Sequence, residues 1–201
     1  MARRIKEEPS VHRKRIADAA EKLFITHGIE KTTVSMIAES AGYSKATIYV
    51  YFENKEEIVA YLVLHSMKLL KDEIMNHTSK SLSYKDNYSG VCEGIIRYKD
   101  KYPIYFSLLQ DVINVDFSEG QYYESEKSTY YIGEEINKYI SELFNLGDDA
   151  FVVIFTFWSS ICGILSMTDK KSKYIEKQSR IKKDSFVLLE LEMLYHGLIN
   201  R

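Results

Sequence analysis

"GYSKATIYVYF", residues 42–52, is the stretch on which the fold turns. Tyr49 and Tyr51 alternate with the apolar Ile48, Val50 and Phe52. Strict alternation suits a half-buried strand, whereas Ile48 and Phe52, four apart, share one face of a helix. The flanks decide. Thr33 and Ser44 are both N-cap residue types, eleven positions apart, with Gly42 between them. That spacing leaves room for two short helices joined by a tight turn. A strand would need a pairing partner, and no strand-like segment lies nearby, so the stretch is expected to be a helix.

Working outward, the preceding segment is also helical. Ile16, Ala19, Ala20, Leu23 and Phe24 recur three and four apart from Ser10 onward, and Gly28 closes that segment. Thr33 caps a short helix whose inward face is Val34, Ile37, Ala38 and Ala41. Ser44 caps the next one, to about Phe52. Asn54 caps a long helix opened by Lys55, Glu56 and Glu57 and running to about residue 77. Further helices are expected over about 84–102 and 103–114, divided at Pro103, then 121–145, 148–168 and 174–199. The polar stretch "TDKKSK" (168–173) is read as a short linker between the last two.

Composition agrees. Of 201 residues 45% are apolar and 28% charged, with two prolines and nine glycines, which favours long helices over many short strands. The expectation is an all-α fold of about nine helices. Residues 1–54 would form a three-helix head, and 55–201 a helical body. The N-terminus has no apolar signal core, so a cytoplasmic location is expected. The uncharged run 150–167, broken by Ser, Thr and Gly, reads as a buried helix rather than a membrane span. Cys92 and Cys162 read as two thiols. Residues 1–55 hold ten Lys/Arg against seven Asp/Glu, while the remainder holds seventeen against twenty-two. A basic head on an acidic body points toward a polyanion.

Within the head, Ala38 and Gly42 supply the small residue and the tolerant turn of a helix-turn-helix. Ile48 and Phe52 point inward, so Lys45, Ala46, Thr47, Tyr49 and Val50 are left outward, a set compact enough for a major groove. Lys45 can donate to guanine or to phosphate. Thr47 can bond a base edge or a phosphate, Ala46 and Val50 can touch a thymine methyl, and the Tyr49 hydroxyl can reach a phosphate. The helix starts at Thr33 and Lys55 offer backbone N–H groups to phosphates. Tyr51 falls near the Ile48 side and is expected to pack.

"TTVSMIAESAGYSKATIYVYFENKEEI" (32–58) closely resembles the DNA-binding segment of TetR-family transcriptional regulators. Thr32-Thr33, Ile37-Ala38, Gly42-Tyr43-Ser44, Tyr49-Val50-Tyr51-Phe52 and Asn54-Lys55-Glu56-Glu57 carry the resemblance. Tyr43 and Ala46 depart from it, where a small aliphatic residue and a glycine are commoner. The resemblance implies a repressor that binds a palindromic double-stranded operator as a homodimer. It places Thr33, Ser44, Tyr49 and Lys55 on phosphates, and Ser35, Lys45, Ala46 and Thr47 toward bases. The arm at residues 2–8 would reach a minor groove through Arg3 and Arg4, or simply fray.

In the body, Phe151, Ile154, Phe155, Trp158 and Ile161, with Leu189, Met193 and Leu194, make an apolar stripe too wide for one small bundle, so a dimer face is expected there. Ten of sixteen tyrosines lie between 84 and 139. Tyr98, Tyr102, Tyr105, Phe106, Tyr122 and Tyr123, with Phe155 and Trp158, are candidates to line a pocket for an unidentified small-molecule effector. No cofactor, metal or membrane is expected. The five histidines are scattered and no phosphate-cradling glycine loop is present, so no catalytic residue is assigned. The alternative is a protein of the same fold that works as an adaptor or co-activator through a protein partner.

Overall fold

The computed structural model describes residues 7–112 and 123–199. Among them it has nine helices and no strand: α1 (Pro9–His27), α2 (Val34–Ala41), α3 (Lys45–Tyr51), α4 (Lys55–Asn76), α5 (Tyr84–Lys101), α6 (Pro103–Val112), α7 (Glu124–Leu143), α8 (Ala150–Ser179) and α9 (Lys183–Ile199). This is the all-α fold that the periodicity predicts. Arg3, Arg4 and Tyr122 lie outside the described residues.

Two compact units make up the chain. One is Met1–Lys68 with Tyr102–Tyr131, the other Leu69–Lys101 with Ile132–Arg201. In the first, α1 buries Ile16, Ala17, Ala20 and Phe24, α2 buries Ile37 and Ala38, and α3 buries Ile48. Phe52 and Ile58 complete this small core. Each large apolar side chain buried here contributes about 1.5–3 kcal/mol, before the chain entropy that opposes it.

The second unit has one tight contact that the sequence reading did not anticipate. A Cβ at Gly90 would stand 2.0 Å from the His77 carbonyl oxygen, and one at Gly94 would stand 2.8 Å from that of Glu73. Both glycines are on α5, four apart and therefore on one face. They let α5 come against the end of α4 at backbone distance. Asn87 ties the same junction, accepting from the Ser79 N–H and donating to the Ser79 carbonyl, both at 2.9 Å. Cys92 is buried on the same helix and Cys162 is half-buried on α8; both are free thiols. Burial raises the Cys92 thiol to about 12 and the Cys162 thiol to about 11.

The expected linker at 168–173 is instead helix. α8 runs without interruption to Ser179 and stops where Arg180 takes φ 60°, leaving three residues before α9. The stretch is polar but holds no Gly or Pro, and its three lysines are good helix formers. Its polarity therefore marks a solvated helix end and not a break. Asp169, at that end, is drawn in two directions: burial raises it, but bonds from Lys99 and Lys183 outweigh this and hold it below the usual carboxylate range.

The expectation of a buried helix over the apolar run is also corrected. α8 is long and apolar enough by composition to cross a membrane, yet only 22% of that window is buried in the chain. One face packs inward through Ile154, Phe157, Ile161 and Leu165. The other shows Phe151, 77% exposed, with Val152 and Phe155.

Candidate nucleic-acid interface

Four local devices set the helix ends of the head. The Thr33 hydroxyl accepts from the Met36 N–H at 3.3 Å and starts α2. Gly42 ends it in the left-handed region, φ 71° and ψ 31°, with the Tyr43 N–H bonded to the Ala38 carbonyl at 2.8 Å. A side chain there would be strained by that φ. Ser44 then opens α3, accepting from the Thr47 N–H at 3.1 Å, and its hydroxyl lies 2.8 Å from that of Thr47. Asn54 opens α4, accepting from the Glu57 N–H at 2.9 Å, while Glu57 reaches back to accept from the Glu53 N–H at 2.6 Å. The three starts satisfy donors that a helix start leaves unpaired, and the Gly42 turn satisfies a carbonyl at a helix end.

The helix so framed stands on Ile48 and Phe52, both nearly fully buried. Its outer side is open: Tyr49 is 49% and Val50 74% exposed, and Lys45 and Ala46 are exposed beside them. The Lys45 ammonium lies 5.9 Å from the centre of the Tyr49 ring. Thr33, Ser35 and Ser44 are exposed as well, and Thr47 is half-buried. The structure thus brings together on one side of α3 most of the residues named from the sequence. Lys55 differs. Its ammonium donates to the Ile29 carbonyl at 3.0 Å, so the side chain is committed inside the unit. What Lys55 leaves for a phosphate is its backbone N–H in the first turn of α4.

Sequence reasoning missed how α1 grips α3. His12 stacks on Tyr51, ring centres 5.0 Å apart, with its Nδ1 2.7 Å from the Tyr43 hydroxyl. Arg15 donates to that same hydroxyl at 2.7 Å. Arg13 lies 4.2 Å over the Phe52 ring and donates to the Tyr51 carbonyl at 2.6 Å and to Glu57 at 2.9 Å. Both ends of the exposed helix are therefore braced by "HRKR" (12–15). Tyr43, a departure in the sequence pattern, is one half of the brace. The signal lay in four consecutive long polar residues on an otherwise amphipathic helix, but their partners are about thirty or more positions away. Lys14, Arg15 and Lys22 also line a shallow basic groove with Ser40 on the same unit.

The body candidates separate. Tyr98 is buried in the second unit, whereas Tyr105 and Phe106 are buried in the first, where Tyr102 is half-buried. Tyr123, also in the first, accepts from Asn54 at 2.6 Å. A small cavity of about 30 Å³ in the second unit is lined by Tyr84, Tyr88, Phe144 and Phe157, among others, and by none of the predicted ligand residues. It is too small for an effector. Trp158 donates to Asn137 at 3.0 Å, and Phe155 faces outward, stacked 6.0 Å from Phe151. Of the expected dimer face, Phe151, Phe155, Leu189 and Met193 are exposed. Ile154 and Ile161 are not, since Ile161 has no accessible surface in the single chain and packs inside its own unit. Trp158 and Leu194 are half-buried.

A small exposed helix, capped at its start and braced from behind in a three-helix head, defines a helix-turn-helix protein. Residues 16–62 match the bacterial regulatory proteins of the tetR family. The HTH-type transcriptional regulator TtgR of Pseudomonas putida is 44% identical over 63 residues, 31% of this chain and 30% of that protein. A probable acrEF/envCD operon repressor of Escherichia coli is 31% identical over 113 residues, 55% of this chain and 50% of that protein. These matches span half or less of each relative's length. The solved structure of the transcriptional regulator FadR from Bacillus subtilis, in complex with stearoyl-CoA, superposes over 90% of this chain and 96% of its own with a TM-score of 0.63, at 17% identity. The head is thus similar to that of the tetR family of bacterial regulatory proteins, and the fold to that of a solved transcriptional regulator.

Proposed function

We propose that this chain is a ligand-responsive transcriptional repressor that binds a palindromic operator in double-stranded DNA as a homodimer and works in the cytoplasm, where the DNA is. Residues 1–54 serve as the DNA-binding head and 55–201 as the ligand-binding and dimerisation body. The observation that carries the reading is the outer face of α3, where Lys45, Ala46, Tyr49 and Val50 stand exposed on a helix braced by Arg13 and His12. Lys45, Ala46 and Thr47, with Ser35 of α2, read base edges. Thr33, Ser44, Tyr49 and the backbone N–H of Lys55 hold phosphates and set the register.

Two exposed apolar faces support the homodimer. Phe151, Val152 and Phe155 on α8, and Leu188, Leu189 and Met193 on α9, are more than a lone soluble chain ordinarily shows. The repressor reading draws on the Escherichia coli relative, and the ligand reading on FadR with its stearoyl-CoA. Tyr102, Tyr105, Phe106 and Tyr123, all in the first unit, are the side chains from which an effector site is proposed. α4 begins in one unit and ends in the other, and so links the effector to the head. An effector empties the operator only if it prefers the non-binding state by several kcal/mol.

The test is binding of purified protein to DNA from upstream of its own and adjacent genes, across a salt series. Specific binding that weakens steeply with salt is the expected result. Tyr49→Phe should weaken every sequence alike, roughly fivefold for one lost hydrogen bond. Lys45→Ala should change which sequence is preferred on randomised operators. A protein that binds no fragment at low ionic strength, but purifies with a stoichiometric protein partner, would replace this reading with that of an adaptor.

A further inference from the structure

Asn54 uses both ends of its amide. Its Oδ1 accepts from the Glu57 N–H at 2.9 Å and so opens α4. A backbone N–H can only donate, so this bond fixes which way the amide faces and leaves Nδ2 for a second partner. That nitrogen donates to the Tyr123 hydroxyl at 2.6 Å, although the two residues stand 69 positions apart. Both are half-buried, and both belong to the first unit.

Tyr123 is fixed on its own side. It directly precedes α7, and its N–H donates to Glu126 Oε2 at 2.8 Å, the acidic half of a capping box. The first turns of α7 are set into the unit, with Ser125 and Thr129 buried. The Asn54–Tyr123 bond therefore joins two helix starts, each held by its own cap. From the α4 start, further bonds lead into the head. Glu57 accepts from Arg13 at 2.9 Å, and Arg13 donates to the Tyr51 carbonyl, at the end of α3, at 2.6 Å. The path from α7 to the exposed helix thus runs Tyr123, Asn54, Glu57, Arg13 and Tyr51. Lys55, whose backbone N–H is proposed for a phosphate, is the next residue after Asn54.

We propose that the Asn54–Tyr123 hydrogen bond holds the α4 start and the head fixed on α7, and that Tyr123 is a positioning residue for operator binding. This rests on the DNA-binding reading above and adds the side chains that couple the body to it. A head without the bond must be ordered again at each operator, which costs affinity on every sequence alike. Anything that takes the Tyr123 hydroxyl, an effector included, releases the head by the same route.

Two substitutions remove the bond from opposite sides. Tyr123→Phe keeps the ring and loses the hydroxyl. Asn54→Ser keeps an oxygen able to cap α4 but is too short to reach Tyr123. Both, and the double variant, are titrated with the fragment that the unaltered chain binds most tightly, across a salt series. Urea curves fix conditions in which every protein is fully folded. Each single variant should bind about fivefold more weakly, the size of one hydrogen bond. The double variant should bind no more weakly than the singles, because all three lack the same bond. The slope against salt should stay that of the unaltered chain, since no phosphate contact is removed. If the unaltered chain binds DNA and the single variants match it, the bridge is overturned while the DNA-binding reading stands. Losses that multiply in the double variant, to roughly twenty-five-fold, would overturn it equally. If the unaltered chain binds no DNA at low salt, the DNA-binding reading fails and the bridge loses its role with it.

Discussion

α3 and α8 both show apolar surface to the outside, and they do it differently. α3 has seven residues, and its outer face mixes Val50 and Ala46 with the donors of Lys45 and Tyr49. A face that short and that mixed suits a groove edged with phosphates and bases. α8 has thirty residues, and its outer face is apolar and small in the middle with opposite charges at the two ends. A face that long and that sorted suits another helix. The exposure of a valine thus means little by itself; its length of context and the charges beside it say what should cover it.

The sharpest way to break the comparison is to remove what stands behind α3. Phe52→Ala should cost about 3–5 kcal/mol, because Phe52 is almost wholly buried under the helix and under the Arg13 guanidinium. Urea unfolding measures the loss, and DNA binding should fall with it. The counterpart in the second unit is Gly94→Ala. Adding one methyl within 2.8 Å of a backbone oxygen should destabilise by about 1–3 kcal/mol, read as a lowered denaturation midpoint. A neutral result there would mean that α5 can move off α4.

Helix starts sharpen the contrast further. Ser44→Ala removes a cap bond that is made and should cost about 1 kcal/mol. Asp149→Ala removes a side chain that makes no cap bond, and should leave chain stability within about 0.5 kcal/mol when measured below the concentration of any association. Equal costs in thermal melts would show that α8 too is set by its cap. The smallest effect is chemical. With thiols raised to about 12 and about 11, Cys92 and Cys162 should react far more slowly with a disulfide reagent at pH 8 in the folded chain than in urea. The sign for stability follows. Below the ordinary thiol range of about 8.5 both states hold these protons. As pH rises past it only the unfolded chain releases them, so stability should fall toward alkaline pH in an unfolding series.

Much of the head was legible because its signals are local. Thr33, Ser44 and Asn54 act on the helix that begins at the next residue, Gly42 acts on the turn it occupies, and Ile48 and Phe52 are four apart. The brace was not legible, since His12 and Tyr43 are thirty-one positions apart and only folding brings them together. The resemblance places Lys55 on a phosphate, yet its ammonium turns to the carbonyl of Ile29, a partner no spacing rule names.

In the body the same division holds over a larger scale. Helix count and most boundaries follow from periodicity and from the scarcity of Pro and Gly, which act within a turn or two. By itself the sequence determined that residues 150–167 are helical and too apolar to be bare. Only the tertiary structure decided that Ile154 and Ile161 face inward while Phe151 and Phe155 face out, and that α8 continues to Ser179. The physical reason is reach. Caps, propensities and turns work between near neighbours along the chain, whereas which face of a helix is buried depends on what other segments arrive beside it, and those arrive from anywhere in the chain.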